Sequence, residues 1–145
     1  MVDVSGKPAT DRVAVAEGFL IAAPGTLRKV VEGGLPKGDF APTVQLAGIG
    51  GAKRTSDLIP LCHPLPLQHV QVEVQPDVEA GRLRVTATAS VTGKTGVEME
   101  ALTAVSVALL AAYDMLKAVD KTMRIDGIRL LEKRGGRSGT WKAEP

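Results

Sequence analysis

The sequence predicts an α+β domain of the ferredoxin-like, split-βαβ kind, with one antiparallel sheet and helices packed on one face. Three observations carry this. Two runs alternate apolar with polar residues, Val70 to Gln75 and Leu83 to Ala89, and the turn-rich stretch Pro76 to Gly81 joins them as a hairpin. A strand-like run followed by helical patterns precedes the hairpin. A long helical pattern and a short apolar strand follow it. The resulting order is β-α-(α)-β-β-α-β.

The elements follow from local chemistry. From Asp11 to Ala22, Val13, Val15, Phe19 and Ile21 are β-branched or aromatic and favour a strand. Pro24-Gly25-Thr26 opens a helix with Leu27, Val30 and Val31 at helical spacing, and Gly33-Gly34 stops it. Pro36 to Asp39 reads as a turn. Ala41 to Ile59 is rich in Ala and Gly and helical in part. Leu58 to Pro64 is apolar and fenced by prolines, so no helix continues through it. The long helix runs from about Val97 to Lys121, with Leu102, Val105, Leu109, Ala112, Leu116 and Val119 as its buried stripe. The last strand lies around Ile128 to Leu131. With helices on only one face, the other sheet face needs water or a partner, so oligomerisation is expected.

At 145 residues, 44% of them hydrophobic and 23% charged, the chain fits one domain, residues 1–145. No apolar run approaches the ~20 residues of a membrane span, and no secretory signal is expected at the start. The single cysteine, Cys62, has no internal partner, and the cytoplasm is the expected compartment. A net charge of +2 and 3% aromatic residues argue against a nucleic-acid surface with stacking platforms. From Lys117 to Lys142, however, eight Lys or Arg face three acids, a field suited to a phosphate-bearing ligand or simply a solvated face.

Four segments have residues with chemistry. Asp114 and Lys117 are three apart on the long helix, and Lys121 continues that face. The pair is either a surface ion pair worth under ~1 kcal/mol or an acid/base pair whose lysine responds to burial. Thr92-Gly93-Lys94-Thr95-Gly96 sits between strand and helix but is no P-loop, because position 88, where that pattern needs its first glycine, is Thr88. Glu98 and Glu100 then suit a helix N-terminus. Glu100 and Asp114 are fourteen residues apart. On one helix that is roughly 21 Å, too far to flank one bond, so a shared role needs two subunits. His63 is held between prolines at 60 and 64, but neither thiol catalysis at Cys62 nor a metal site has the partners it needs. Lys133 to Gly139 combines cations with glycines that expose backbone N–H groups, and reads either as an oligophosphate grip or as a disordered basic tail.

Four stretches in order resemble one family: Lys53 to Pro64, Thr92 to Ala104, Tyr113-Asp114-Met115 with Lys117-Ala118-Val119, and Leu130 to Lys133 with Gly135-Gly136 and Ser138-Gly139. With the opening Met1 to Ser5, they are similar to the cyclic pyranopterin monophosphate synthase (MoaC) family of molybdenum-cofactor biosynthesis. The resemblance implies a lyase that converts a cyclised dihydro-GTP, made by a radical S-adenosylmethionine GTP cyclase, to cyclic pyranopterin monophosphate with release of diphosphate. It implies no cofactor and no metal. By the same resemblance, Asp114 is the acid/base, Lys117 its partner, and Lys37 and Lys133 act in the site. Leu61, Cys62, His63, Met99 and Glu100 contact substrate, and Glu98 contacts it or orders the turn. The family implies a homohexamer, a trimer of dimers, with sites at dimer interfaces. A non-catalytic nucleotide-binding module and a purely structural partner are the alternatives from other classes.

Overall fold

The computed structural model describes residues Met1–Pro145. The elements are β1 (Thr10–Ile21), α1 (Pro24–Glu32), α2 (Phe40–Lys53), α3 (Thr55–Leu58), β2 (His69–Asp77), β3 (Arg82–Gly93), α4 (Glu98–Leu116), β4 (Arg124–Arg134) and β5 (Trp141–Lys142). The sheet order is β2-β3-β1-β4-β5, antiparallel throughout. The first four strands have the split-βαβ arrangement expected from the sequence. The final two-residue strand and the single turn α3 are additions.

Strand alternation builds the core. Ala14, Ala16 and Leu20 of β1 and Leu83, Val85, Ala87, Ala89 and Val91 of β3 are buried toward α4. Ala101, Ala104, Val105, Ala108, Leu109 and Ala112 answer from the helix. Small side chains on both layers let helix and sheet approach closely. Gly18 marks the tightest point: a Cβ there would lie 2.7 Å from Leu109 Cδ1 and 2.8 Å from Val105 Cγ1. On its other flank α4 meets α2, where a Cβ on Gly48 would come within 3.1 Å of the Ala104 carbonyl oxygen. Opposite Gly18, β4 bulges at Gly127, whose φ of 64° suits glycine.

Several expectations are corrected. The long helix ends at Leu116 rather than near Lys121, with Lys117 as its cap and the Leu116 carbonyl accepting from both Val119 and Asp120 N–H. Val119 is therefore 40% exposed, and Leu102 is only partly buried. The buried stripe is wider than expected because sheet and α2 cover two flanks of one helix. That double cover also accounts for the helix's composition. At 19 residues α4 is long and apolar enough to cross a membrane, contrary to the expectation from the sequence, yet just over half of its most apolar stretch is buried inside the fold.

The outer sheet face mixes charged side chains with Val13, Val15 and Phe19, which alternate with the core-facing residues of β1. At its centre Glu17 is buried and accepts from Arg84 Nε at 2.9 Å and Arg129 Nε at 2.8 Å. Burial pushes the Glu17 carboxyl up, but Arg129 and Arg84 more than offset it and its pKa ends below the usual value. Among the exposed apolar side chains, Leu46 at 69% and Leu110 at 60% lie on the helix layer.

Candidate active site

Chemistry-bearing side chains gather at the two ends of α4. At the C-terminal end, the last turn presents Asp114. Its Oδ1 accepts from Lys117 Nζ at 2.8 Å and its Oδ2 from Lys37 Nζ at 2.7 Å. Lys117 comes from the same helix, three residues on. Lys37 arrives from the loop between α1 and α2, where buried Leu35 anchors the chain and Gly38, at φ 104°, turns it. The hydrogen bond from Lys117, then that from Lys37, holds the Asp114 carboxyl at about 2. Asp114 in turn raises the Lys117 ammonium above its ordinary value. The expected cause was burial, which lowers a lysine. Here both groups are about half exposed, and pairing, not desolvation, sets the shift. Lys121 lies beyond the helix end and does not extend this face.

The resting cluster is thus one carboxylate between two ammonium groups. Its net charge is positive, and both lysines have protons to donate. An anionic ligand can draw either lysine away, after which the freed carboxylate accepts a proton more readily.

At the N-terminal end, a cavity of about 280 Å³ is lined by Leu61, Cys62, His63, Glu98, Met99 and Glu100, together with residues of the N-terminal segment. All six residues matched to substrate contact share this one cavity. The Pro-fenced segment supplies the first three and the first turn of α4 the rest. Glu100 is 4% exposed, and its Oε2 has no hydrogen-bond partner. Burial raises its pKa. Its own backbone N–H works against this, and the charge of Glu98 adds to it. A buried, unpaired carboxyl oxygen is costly for a fold and suits N–H groups of a ligand. Burial, and secondarily Glu100, also pushes up the Cys62 thiol, which makes it a poor nucleophile.

A larger cavity of about 820 Å³ adjoins the first, with Lys133, Arg134, Gly135, Gly136 and Arg137 on its wall. Lys133 pairs with Glu98 at 3.3 Å. It therefore belongs to this end of α4, away from Lys37, Asp114 and Lys117. Gly135 and Gly136 have φ of 98° and 75°, and a Cβ on Gly135 would collide with the Asp11 carbonyl oxygen. Lys94 of the Gly-Lys-Thr turn donates to the Ser5 carbonyl at 3.3 Å, so it tethers the N-terminal segment instead of reaching into a phosphate cradle. No three His, Cys, Asp or Glu side chains gather as a metal-holding group.

Sequence reasoning assigned no role to Lys7 or Arg12, which also line the larger cavity. They come from the N-terminal segment and the start of β1. No local pattern marks them, and only the folded chain brings them beside residues numbered above 130.

The MoaC family model matches residues 1–136. Relatives named cyclic pyranopterin monophosphate synthase are similar over nearly the whole chain. The one from Rhodospirillum rubrum is 63% identical over 143 residues, 99% of this chain and 86% of the relative. One from a Methylobacterium species is 61% identical over 145 residues, covering 100% and 91%. One from Chloroflexus aggregans is 58% identical over 144 residues, covering 99% and 87%.

Proposed function

The chain belongs to the MoaC family, and we propose that it is a cyclic pyranopterin monophosphate synthase whose sites each draw on two subunits. As a single catalytic domain, residues 1–145, it converts cyclised dihydro-GTP to cyclic pyranopterin monophosphate and releases diphosphate, an early step of molybdenum-cofactor biosynthesis. In class it is a phosphorus–oxygen lyase. It acts in the cytoplasm on the product of a radical S-adenosylmethionine GTP cyclase.

The observation that carries this reading is the convergence of Leu61, Cys62, His63, Glu98, Met99 and Glu100 on one cavity beside a cationic, glycine-walled trough. Such a pair of compartments suits a ligand with a base-derived ring at one end and phosphates at the other. The Glu100 carboxyl accepts N–H groups of the ring. Glycine N–H groups and the cations at 133, 134 and 137 hold the phosphates. Opening and reclosing the ring needs protons given and taken at several atoms. Lys117 and Lys37 give them as ammonium groups, and Asp114 takes them once substrate has drawn a lysine away.

Within one chain Asp114 stands roughly 21 Å from Glu100, fourteen residues along a helix. One substrate cannot bridge that span, so the Asp114 end of one subunit must meet the Glu100 end of another. The exposed Leu46 and Leu110 on the helix layer support a contact between subunits there. A twofold pairing that runs two α4 helices antiparallel joins opposite ends and makes two equivalent sites. The family's homohexamer, a trimer of dimers, accommodates this. Incubation of the protein with cyclised dihydro-GTP should release diphosphate and form the pyranopterin. Well-folded protein that releases none would overturn the reading.

A further inference from the structure

The two cavities at the N-terminal end of α4 share part of their wall. Four residues line both: Lys7, Thr95, Gly96 and Glu98. Only Lys7 among them is a cation. Of the other cations lining the larger cavity, three are engaged: Lys133 with Glu98 at 3.3 Å, Arg134 with Glu132 at 3.2 Å, and Arg12, whose Nε donates to the Gly93 carbonyl at 3.0 Å, while Arg137 lines the larger cavity alone. Lys7 has no ion pair and no side-chain hydrogen bond, although its backbone is anchored, its N–H donating to the Val4 carbonyl at 3.0 Å. An anchored, unpaired ammonium on the wall between two compartments is placed for a ligand that spans both. The unpartnered Oε2 of Glu100, buried in the smaller compartment, marks that compartment as built for a ligand.

We propose that Lys7 contacts the α-phosphate of the substrate and stabilises the phosphoryl transfer that releases diphosphate. This rests on the synthase reading above and adds a catalytic residue to it. With the base-derived ring at Glu100 and the terminal phosphates among Gly135, Gly136 and Arg137, the α-phosphate falls at the shared wall. In the step itself, a sugar-derived hydroxyl oxygen bonds to the α-phosphorus. The bond from that phosphorus to the α,β-bridging oxygen breaks, and its electron pair leaves with diphosphate, which takes up the hydroxyl proton. Negative charge grows on the bridging and non-bridging oxygens as this happens. A fixed cation at that point lowers the barrier.

The test is diphosphate release from cyclised dihydro-GTP by the wild-type chain, Lys7→Gln and Lys7→Arg. Lys7 is exposed, so thermal melts of the three should coincide. Loss of a positioned charge in a transition state costs on the order of 100-fold in kcat, so Lys7→Gln should fall by about that factor with a much smaller change in KM. Lys7→Arg should recover most of the loss. An unchanged kcat in Lys7→Gln, or a fall that arginine does not relieve, overturns the assignment while leaving the wild-type reaction intact. A wild-type chain that releases no diphosphate overturns the reaction and this assignment with it.

Discussion

Asp120 joins the end of α4 to the start of α1, and replacing it with Asn measures that joint. Its Oδ2 accepts from Ala23 N–H at 3.0 Å and Thr26 Oγ1 at 2.9 Å; its Oδ1 accepts from Thr122 N–H at 2.8 Å and Oγ1 at 2.7 Å. The Ala23 N–H is one that the first turn of α1 leaves free, so Asp120 caps that helix from 97 residues away. An amide keeps one accepting oxygen and turns its NH2 toward the other backbone N–H. One buried donor is then stranded and the charge assistance of the remaining bonds is lost. Hydrogen bonds to charged groups contribute ~1.5–3 kcal/mol each, so Asp120→Asn should cost about 3 kcal/mol near neutral pH. For a chain of this size that is a fall of roughly 10 °C in Tm.

The pH dependence has a definite sign. The backbone hydrogen bond from Ala23, followed by those from Thr122, lowers the Asp120 carboxyl well below the usual carboxylate range. A depressed folded pKa contributes stability that is fully present above the unfolded value, about 3.9. It is lost as pH falls through the folded one. Urea denaturation of both proteins should therefore show a constant gap from pH 8 to 5 that narrows below about 4. A gap under ~0.5 kcal/mol at neutral pH, or one that does not narrow in acid, would refute this account of the joint.

Lys117→Ala should abolish product formation while leaving the fold in place, since the lysine is exposed and its only carboxylate partner is Asp114; near-normal turnover with an unchanged circular dichroism spectrum would remove it from the acid/base set. Gly18→Ala forces a methyl group against Leu109 and Val105 where sheet and α4 come closest. It should destabilise the protein by about 1–3 kcal/mol in equilibrium unfolding, and a neutral effect would mean that α4 can move away from the sheet.

The order of elements is legible in the sequence because alternation and helical spacing are local signals. Leu83 to Ala89 alternates in sequence and its leucine, valine and alanines are buried in the structure. The end of α4 is less legible. Val119 continues the apolar spacing, but the chain turns at Lys117 and the following segment is organised by Asp120, whose partners lie near residue 23. Trp141-Lys142 is too short to have a period, and its strand exists only because β4 offers an edge. Asp114 and Lys117 can be paired from their spacing. Lys37 cannot, since its bond to Asp114 spans 77 residues. For the same reason Lys7, Lys133 and Glu98 form a neighbourhood that only the fold assembles. The resemblance to the MoaC family supplied Lys37 and Lys133, while the geometry divides them between opposite ends of one helix.

That division is the core of the account, and subunit mixing tests it. Glu100→Ala removes one end of α4 from a site and Asp114→Ala the other. Each variant alone should be nearly inactive. When the two are dissociated together and reassembled, a mixed dimer has one site with both defects and one with neither. Random assembly makes half of the dimers mixed, so about a quarter of wild-type sites, and a quarter of wild-type diphosphate release, should return. Verified mixed oligomers with no recovered activity would contradict the claim that each α4 serves two sites.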